Sequence, residues 1–453
     1  MIQGALNIKK MNYCIFTFGC QMNVSDSQWL ERSLQNMGLT PSREEDADIF
    51  LINTCSVREK PEHKIYSLLG RLQDYARLKP HVFAGVGGCV AQQVGRGFFE
   101  RFPLVRLVFG TDGLAMVPQA LKRLLNDAHL KTSLLDFEDY YPERENNWNR
   151  EVPGQAFVNI MQGCDNYCAY CIVPYTRGRQ KSRRSADILA ECRRLVSLGT
   201  KEITLLGQNV NSYGQDLNGQ KLSFADLLYE IGGLDGLDRL RFTTSHPKDI
   251  DRRVIRAFGE IPALCPQLHL PLQSGSDRVL KAMGRRYTRK EYLNIVRDLR
   301  SACPDIALST DLIVGFPGET EEDFSRTLDM LDLVGFDSSF SFKYSDRPGV
   351  RSCEMQPKID GEIKAERLAR LQKRQNELTA EKLAQRVGRK EPVLIENSSK
   401  KQHGGETVSW TGRDPGGRVV HVYLPPGRDF GRQLLQVEIV RAHKHSLTGE
   451  VIK

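Results

Sequence analysis

Nowhere does this chain stay apolar for the roughly eighteen residues that a membrane-spanning helix requires, so the sequence offers no transmembrane segment. Its 40% hydrophobic and 26% charged content is that of a soluble globular protein. Long repeats and low-complexity segments are missing too, which excludes a repeat array. Met1 to Lys10 lack the basic start, unbroken apolar core and small-residue cleavage site of a secretory signal, so the expected location is the cytoplasm. An even cysteine set is also absent. Eleven cysteines without an export signal point to metal or redox chemistry rather than a disulfide framework. Nor is the charge extreme: 64 Lys and Arg less 56 Asp and Glu leave +8, mild for a nucleic-acid binder. The charge is uneven, however. From Gln385 onward twelve Lys or Arg face seven Asp or Glu, which is +5 of the +8. A basic tail attracts phosphate, although a plain solvated surface has the same composition.

At 453 residues the chain is too long for one ordinary core, and its patterning divides it. Apolar runs alternate with helix-like stretches at Tyr13 to Phe18, Ser25 to Met37, Ile49 to Asn53, Arg58 to Arg77, His81 to Val86 and Ala91 to Phe102. Val105 to Phe109 and Gly113 to Leu125 complete an expected open α/β sheet domain over 11–126. A polar, aperiodic stretch including Asn146 and Asn147 reads as a linker over 127–149. Over 150–383 six strand candidates follow: Ala156 to Met161, Glu202 to Leu206, Arg239 to Thr243, Gln267 to Pro271, Ile306 to Val314 and Phe336 to Tyr344. Amphipathic helices separate them; in the clearest, Ala186 to Leu198, Ser185 can cap the start and Gly199 the end. Six βα units, not eight, imply a partial (β/α)6 barrel whose open side can receive a large substrate. After a long charged helix, Gly361 to Arg386, short β-like runs over 384–449 suggest a small antiparallel β-barrel of the OB type, a shape that often binds RNA.

The strongest chemical signal is Gly163-Cys164-Asp165-Asn166-Tyr167-Cys168-Ala169-Tyr170-Cys171, directly after the first barrel strand. Three thiolates leave one iron of a 4Fe-4S cluster with a site that a small molecule can occupy. Structural zinc wants a fourth Cys or His nearby, and none follows in Ile172 to Gly178. Loops at the carboxyl ends of barrel strands are also where active sites of this architecture sit. A second trio is spread out: Cys20, Cys55 and Cys89 each follow an apolar strand candidate of the first domain. Loops beyond the carboxyl ends of an open α/β sheet share one edge, so these side chains can converge. Any one alone reads as a buried packing cysteine; their matched positions favour ligands. Cys14, Cys192, Cys265, Cys303 and Cys353 show no such pattern and read as packing residues.

The Cys-x3-Cys-x2-Cys spacing, with an aromatic residue before the third cysteine, resembles the radical S-adenosylmethionine (SAM) superfamily. With Leu205 to Tyr213, Thr244 to Pro247, His269 to Ser276, Met283 to Tyr287 and Ser309 to Thr320, nearly the whole chain resembles the methylthiotransferase family of those enzymes. It departs at Asp346 and Val350, where the family more often has Pro and Thr; neither is a cysteine ligand. The resemblance implies two 4Fe-4S clusters, one held by Cys164, Cys168 and Cys171 and a second, sulfur-carrying one by Cys20, Cys55 and Cys89. All six cysteines would be both metal ligands and catalytic. SAM would serve as methyl donor and as source of a 5'-deoxyadenosyl radical, with Tyr170 against its adenine. Gln208, Gln273 and Asp311, at strand ends, would contact SAM, with packing as the competing role. The same competition applies to His246 and His269, while Glu319 reads equally as a helix N-terminal carboxylate. Arg285, Arg286 and the tail arginines are candidate phosphate contacts.

The implied reaction is 2-methylthiolation of N6-isopentenyladenosine next to the anticodon of a tRNA. An unactivated adenine C–H bond yields to no side-chain base, so a cofactor radical is required. The implied partners are a tRNA anticodon stem-loop, bound partly through a C-terminal TRAM module, an external electron donor and a sulfur donor. No membrane is involved, and the chain is expected to act as a monomer. Sibling reactions on threonylcarbamoyladenosine or a ribosomal-protein aspartate, and a non-catalytic iron–sulfur RNA-binding redox sensor, stay open.

Overall fold

The computed structural model describes residues 11–56, 59–79, 81–144, 154–217, 219, 222–398 and 407–452, the side chains of 59–63 excepted. Arg58, Asn146 and Asn147 lie outside the described residues, as does the junction of the expected linker with the barrel. The first domain is a six-stranded, wholly parallel sheet. Its strands are β1 (Asn12–Thr17), β2 (Thr40–Pro41), β3 (Ile49–Thr54), β4 (Phe83–Gly88), β5 (Val105–Phe109) and β6 (Thr132–Leu134), in the spatial order β2-β1-β3-β4-β5-β6. The runs at β3 and β4 are buried on both faces, the pattern of central strands in a sheet covered by helices on either side.

Helices α1 (Gln21–Asn36) and α5 (Val117–Asn126) close one face around Leu30, Leu34 and Leu121. Helices α2 (Glu59–Leu78), α3 (Cys89–Val94) and α4 (Gly97–Arg101) cover the other around Leu69, Val90 and Phe98. Three details depart from the sequence reading. The stretch Ala91 to Phe102 is two short helices, not one, broken at Gly95 and Arg96. The edge strand β2 is additional. The sheet also continues past residue 126, because β6 pairs with β5 inside the expected linker.

The second domain carries β7 (Gln155–Asn159), a small ribbon β8 (Met161–Gln162) with β9 (Lys181–Ser182), then β10 (Glu202–Leu206), β11 (Arg239–Thr243), β12 (Gln267–His269), β13 (Ala307–Val314) and β14 (Ser338–Lys343). The sheets β11-β10-β7 and β12-β13-β14 are parallel. A bridge between Leu240 and Leu264 joins them into one curved wall of six strands, left open between β7 and β14. The helices are α6 (Val173–Thr176), α7 (Ser185–Ser197), α8 (Phe224–Gly232), α9 (Arg252–Glu260), α10 (Asp277–Ala282), α11 (Arg289–Ala302), α12 (Glu321–Val334) and α13 (Gly361–Ala384). Reciprocal capping boxes start α8, α11 and α12 at Ser223/Asp226, Thr288/Glu291 and Thr320/Asp323. Ser185 does not cap α7. It is the first helical residue, and Arg184 takes the cap position without a side-chain bond.

The tail forms a closed barrel, β15 (Lys390–Ser398), β16 (Val408–Arg413), β17 (Val419–Leu424), β18 (Leu434–Ala442) and β19 (Leu447–Val451), in the order β15-β16-β17-β19-β18. Closure requires β19, which the sequence reading did not separate, and the β17–β19 pair is parallel rather than antiparallel. This barrel docks at the amino ends of the larger barrel's strands. Arg239, which opens β11, donates to Arg413 O at 2.9 Å. Arg241 donates to Pro415 O at 2.9 Å and Asp414 O at 3.0 Å, and its Nε lies 3.1 Å from Glu202 at the start of β10. Arg418 adds a 2.7 Å bond to Asp337 beside β14. The carboxyl ends of the strands, where the cysteine loops lie, are left free of it. No helix among the described residues is long and apolar enough to cross a membrane.

Leu371 of α13 is fully buried in the barrel's core. Leu371→Ala should cost about 2–5 kcal/mol. The expected observation is a lowered thermal midpoint, and an unchanged midpoint would mean that α13 does not contribute to this core.

Candidate functional site

Cys20, Cys55 and Cys89 follow the carboxyl ends of the adjacent parallel strands β1, β3 and β4. The strand order reverses between β1 and β3, and the crevice beyond such a reversal is where open α/β sheets hold ligands. The three loops are clamped by a buried polar network. Asn23 Nδ2 donates to Asn53 Oδ1 and to Thr54 O, both at 2.9 Å, and Asn53 Nδ2 returns to Asn23 O at 2.9 Å and Ser27 Oγ at 3.1 Å. Thr54 Oγ1 donates to Gly87 O at 2.5 Å, tying the Cys55 loop to the Cys89 loop. Gly88, at φ +87°, is required there, since a Cβ would come 2.3 Å from Thr54 O. Cys20 is exposed while Cys55 and Cys89 are buried. A hydrogen bond with Cys55, followed by the Arg177 charge, outweighs burial and lowers the Cys20 pKa to about 5.

The second trio sits on the loop that leaves the β7–β8 edge. Gly163 begins it at φ +78°, where a Cβ would meet Arg179 O at 1.9 Å. Ala169 N donates to Met283 O at 2.8 Å, Ser352 N to Ala169 O at 2.9 Å, and Asn166 Nδ2 points to Cys164 Sγ at 3.3 Å. Arg285, buried, places Nη1 3.6 Å from Cys168 Sγ and donates to Pro271 O and Tyr287 Oη. Burial raises Cys164 and pushes Cys171 up to about 12, the neighbouring Cys168 adding to it.

The two trios lie on the same side of the molecule, across the domain interface. Met22, two residues after Cys20, lies 3.7 Å from Arg177 Nη1 through its sulfur and also contacts Gln208 Nε2. Gln208 Oε1 in turn accepts from Gly163 N at 2.5 Å, next to Cys164. Around this contact the interface is polar and buried. Asp112, in the loop after β5, pairs with buried Lys181 and accepts from Gln162 of the barrel. Thr111 Oγ1 donates to Thr176 O at 3.3 Å, and Arg144 Nη1 bonds Asp26 at 2.6 Å.

The other expected residues are distributed as follows. Tyr170 is partly buried, packed with Val279, Met283, Phe316 and Tyr344 behind the cysteine loop. Gln273, at φ +70°, joins β13 through its backbone, its N–H donating to Asp311 O at 2.8 Å. Asp311 Oδ2 lies 3.4 Å from His269 Nε2, and its register partner on β14 is half-exposed Phe340, against which the His269 ring also packs. Glu319 is committed to Arg367 at 2.8 Å and to Gly315 N at 2.6 Å, which makes it structural. His246 Nδ1 accepts from Lys248 N at 3.2 Å. Tyr167 and Tyr175, each about half exposed, stand edge-to-face on the rim of the cysteine loop. The sequence reading assigned no role to Asn23, Asn53, Asp26, Asp112, Lys181 or Arg177; the asparagines flanking two of the cysteines were the signal available.

The donor set suits a cluster better than one ion. Among the described residues no three His, Cys, Asp or Glu side chains are close enough to hold a single metal ion. A cubane spreads its thiolates over separate irons, so its ligands need not converge on one point. Thiols raised by burial, such as Cys164 and Cys171, gain their missing countercharge when iron displaces the protons. Buried side-chain atoms of Gln162, Asn209, Asn211 and Ser245, at or just past the strand ends, have no hydrogen-bond partner within the described protein, a polar lining that a polar cofactor such as SAM would satisfy.

Residues 158–331 match the Radical SAM superfamily and residues 12–110 the Uncharacterized protein family UPF0004. Over 437 residues the chain is 60% identical to the tRNA-2-methylthio-N(6)-dimethylallyladenosine synthase of Nitratidesulfovibrio vulgaris strain Hildenborough, covering 96% of this chain and 97% of that one. Proteins of the same name from Lawsonia intracellularis and Geobacter metallireducens are 52% and 46% identical, over 97% and 96% of this chain and 98% and 97% of theirs. In fold, the chain is similar to the radical S-adenosylmethionine methyltransferase TsrM of Kitasatospora setae, with a TM-score of 0.55 at 14% identity, covering 76% of this chain and 77% of that one.

Two measurements probe this arrangement. Asp112→Ala strands the Lys181 ammonium in a buried interface and should cost about 3–5 kcal/mol, seen as a lower thermal midpoint. Adding Lys181→Met should recover the larger part; no recovery would mean that the pair does not hold the interface. Burial first, then the Arg285, Lys248 and Arg286 charges, depress His246 from 6.5 to about 2. The unfolded state therefore binds the extra proton, and the stability that neutral His246 contributes is present above pH 6.5 and lost as pH falls below it. The ring resonances of His246 should stay untitrated down to pH 5; a midpoint near 6.5 would contradict its burial.

Proposed function

Given that the chain belongs to the family of tRNA-2-methylthio-N(6)-dimethylallyladenosine synthases, we propose that it converts N6-isopentenyladenosine next to the anticodon to its 2-methylthio derivative by radical SAM chemistry. Cys164, Cys168 and Cys171 hold one 4Fe-4S cluster, and Cys20, Cys55 and Cys89 hold a second. When bound, the clusters and SAM supply the carbon radical that can take the unactivated adenine C2 hydrogen, the methyl group and the sulfur. The observation that supports this reading is the contact chain from Met22 beside Cys20, through Gln208, to Gly163 beside Cys164, which joins the two cysteine loops.

The protein's own residues position and shield. The Asn23–Asn53 network orients the N-terminal cysteines, and the buried pair of Asp112 and Lys181 fixes the approach of the two domains. Gln208, Gln273 and Asp311 contact SAM, and Tyr170 backs its adenine. Tyr167 and Tyr175 offer ring faces at the rim on which unpaired loop bases can stack. The basic tail barrel, at the opposite strand ends, holds the stem electrostatically, so a bound anticodon arm runs along the barrel's side. Electrons and replacement sulfur come from other molecules, and the chain acts as a monomer in the cytoplasm.

The test is anaerobic reconstitution with SAM, a reductant, a sulfur source and isopentenylated tRNA. The expected result is 2-methylthio nucleoside together with 5'-deoxyadenosine, both abolished in Cys168→Ala, from protein holding about eight irons per chain. SAM cleavage with threonylcarbamoyladenosine tRNA alone being modified would overturn the substrate, and about four irons per chain would overturn the second cluster.

A further inference from the structure

The N-terminal trio has a feature that its own domain does not supply. Arg177 belongs to the barrel, ending the short helix α6 after Cys171, yet its guanidinium reaches across the interface. It is only 3% exposed. Nη1 lies against Met22 Sδ at 3.7 Å, and Nη2 is buried with no hydrogen-bond partner. The nearest carboxylate, Asp26, is 3.9 Å from Nη2 and is already bonded to Arg144 at 2.6 Å. Two buried guanidiniums thus share one carboxylate. The surplus positive charge stands beside the Cys20 loop, where Met22, two residues after Cys20, is its sulfur contact; burial disfavours the charged guanidinium, while Cys89, Asp26, Cys20 and Cys55 as anions would favour it. A buried cation without a full partner is costly, whereas three deprotonated thiolates around an iron–sulfur core leave a net negative charge.

We propose that Arg177 is the counter-cation of the anionic cluster held by Cys20, Cys55 and Cys89, so that this centre is completed across the domain interface by a residue of the other cysteine loop. The inference rests on the two-cluster reading above. It assigns Arg177 a positioning and electrostatic role, not a catalytic one. A fixed cation beside a cluster favours its more negative, reduced form and raises its potential. Arg285 stands in the same relation to the barrel trio: it is buried, it is 3.6 Å from Cys168 Sγ, and its hydrogen-bond partners are Pro271 O and Tyr287 Oη rather than a carboxylate. Each trio therefore carries one guanidinium. Only that of the N-terminal trio comes from another domain. Docking of the interface does not require Arg177, since Lys181 with Asp112, Gln162 with Asp112 and Thr111 with Thr176 already span it.

The experiment uses the full chain, anaerobically reconstituted, with Arg177→Gln and Arg177→Lys made both in the wild type and in a Cys164→Ala/Cys168→Ala/Cys171→Ala background that isolates the N-terminal centre. Iron and sulfide content, electron paramagnetic resonance and a redox titration are read. In Arg177→Gln the N-terminal centre should be lost, or its oxidised-to-reduced ratio at fixed poise should rise at least about tenfold, a downward shift of about 59 mV for one electron. The barrel centre's signal should keep its shape and potential, and Arg177→Lys should restore most of the shift. An N-terminal centre in Arg177→Gln with wild-type content and potential overturns the proposal. So does equal damage to both centres that lysine fails to rescue, which is the signature of a merely structural arginine. Wild-type protein with only one centre would instead sink the two-cluster reading itself.

Discussion

Everything in this molecule depends on two parallel sheets meeting with their carboxyl edges toward one another. A parallel sheet delivers all of its βα loops to one edge, so each domain presents its three cysteines on a single side. The sides face because a buried ion pair, Asp112 with Lys181, and the Met22–Gln208–Gly163 contact fix the approach. A charge pair in a buried interface is a poor source of net stability, and its use here is registry. Rotating one domain would strand Lys181 and separate the trios together.

The loops themselves are held by local devices of different kinds. In the first domain, neutral amides of Asn23 and Asn53 lace the cysteine loops together. On the barrel loop the backbone does more: Gly163 in the left-handed region and the bonds of Ala169 to Met283 and Ser352 set where the thiols project. The tail barrel is anchored through Arg239, Arg241 and Arg418 at the far strand ends, which leaves the cysteine edge open to a large substrate. The cysteine loops and the tail barrel are thereby put at opposite ends of one scaffold.

Much of this was legible beforehand. All six barrel strands overlap the expected runs, although β12 keeps only Gln267–His269 and β14 has no fully buried residue. The elements that escaped are short or at edges. Strand β6 has only Thr132, Ser133 and Leu134, and β19 carries a glycine and a glutamate in Leu447 to Val451. Neither has a pattern that distinguishes it from a loop; each becomes a strand because a neighbour offers unpaired backbone. Ser185 failed as a cap because the chain enters α7 one residue earlier, through Arg184. A propensity does not say which residue the tertiary path places at the boundary.

The amino-acid order by itself determined the type of chemistry: Cys-x3-Cys-x2-Cys is contiguous, so its spacing survives without knowledge of the fold, and the other trio is marked by its position after successive strands. Only the tertiary structure decided that the two cysteine loops meet at the domain interface, that Phe340 stands beside Asp311, and that Arg177 of the barrel reaches Met22 beside Cys20. The physical reason is that these relations are set by how buried charge and polar groups find partners across an interface. That requirement acts between residues as far as 186 positions apart, as for Met22 and Gln208, and leaves no periodic trace along the chain.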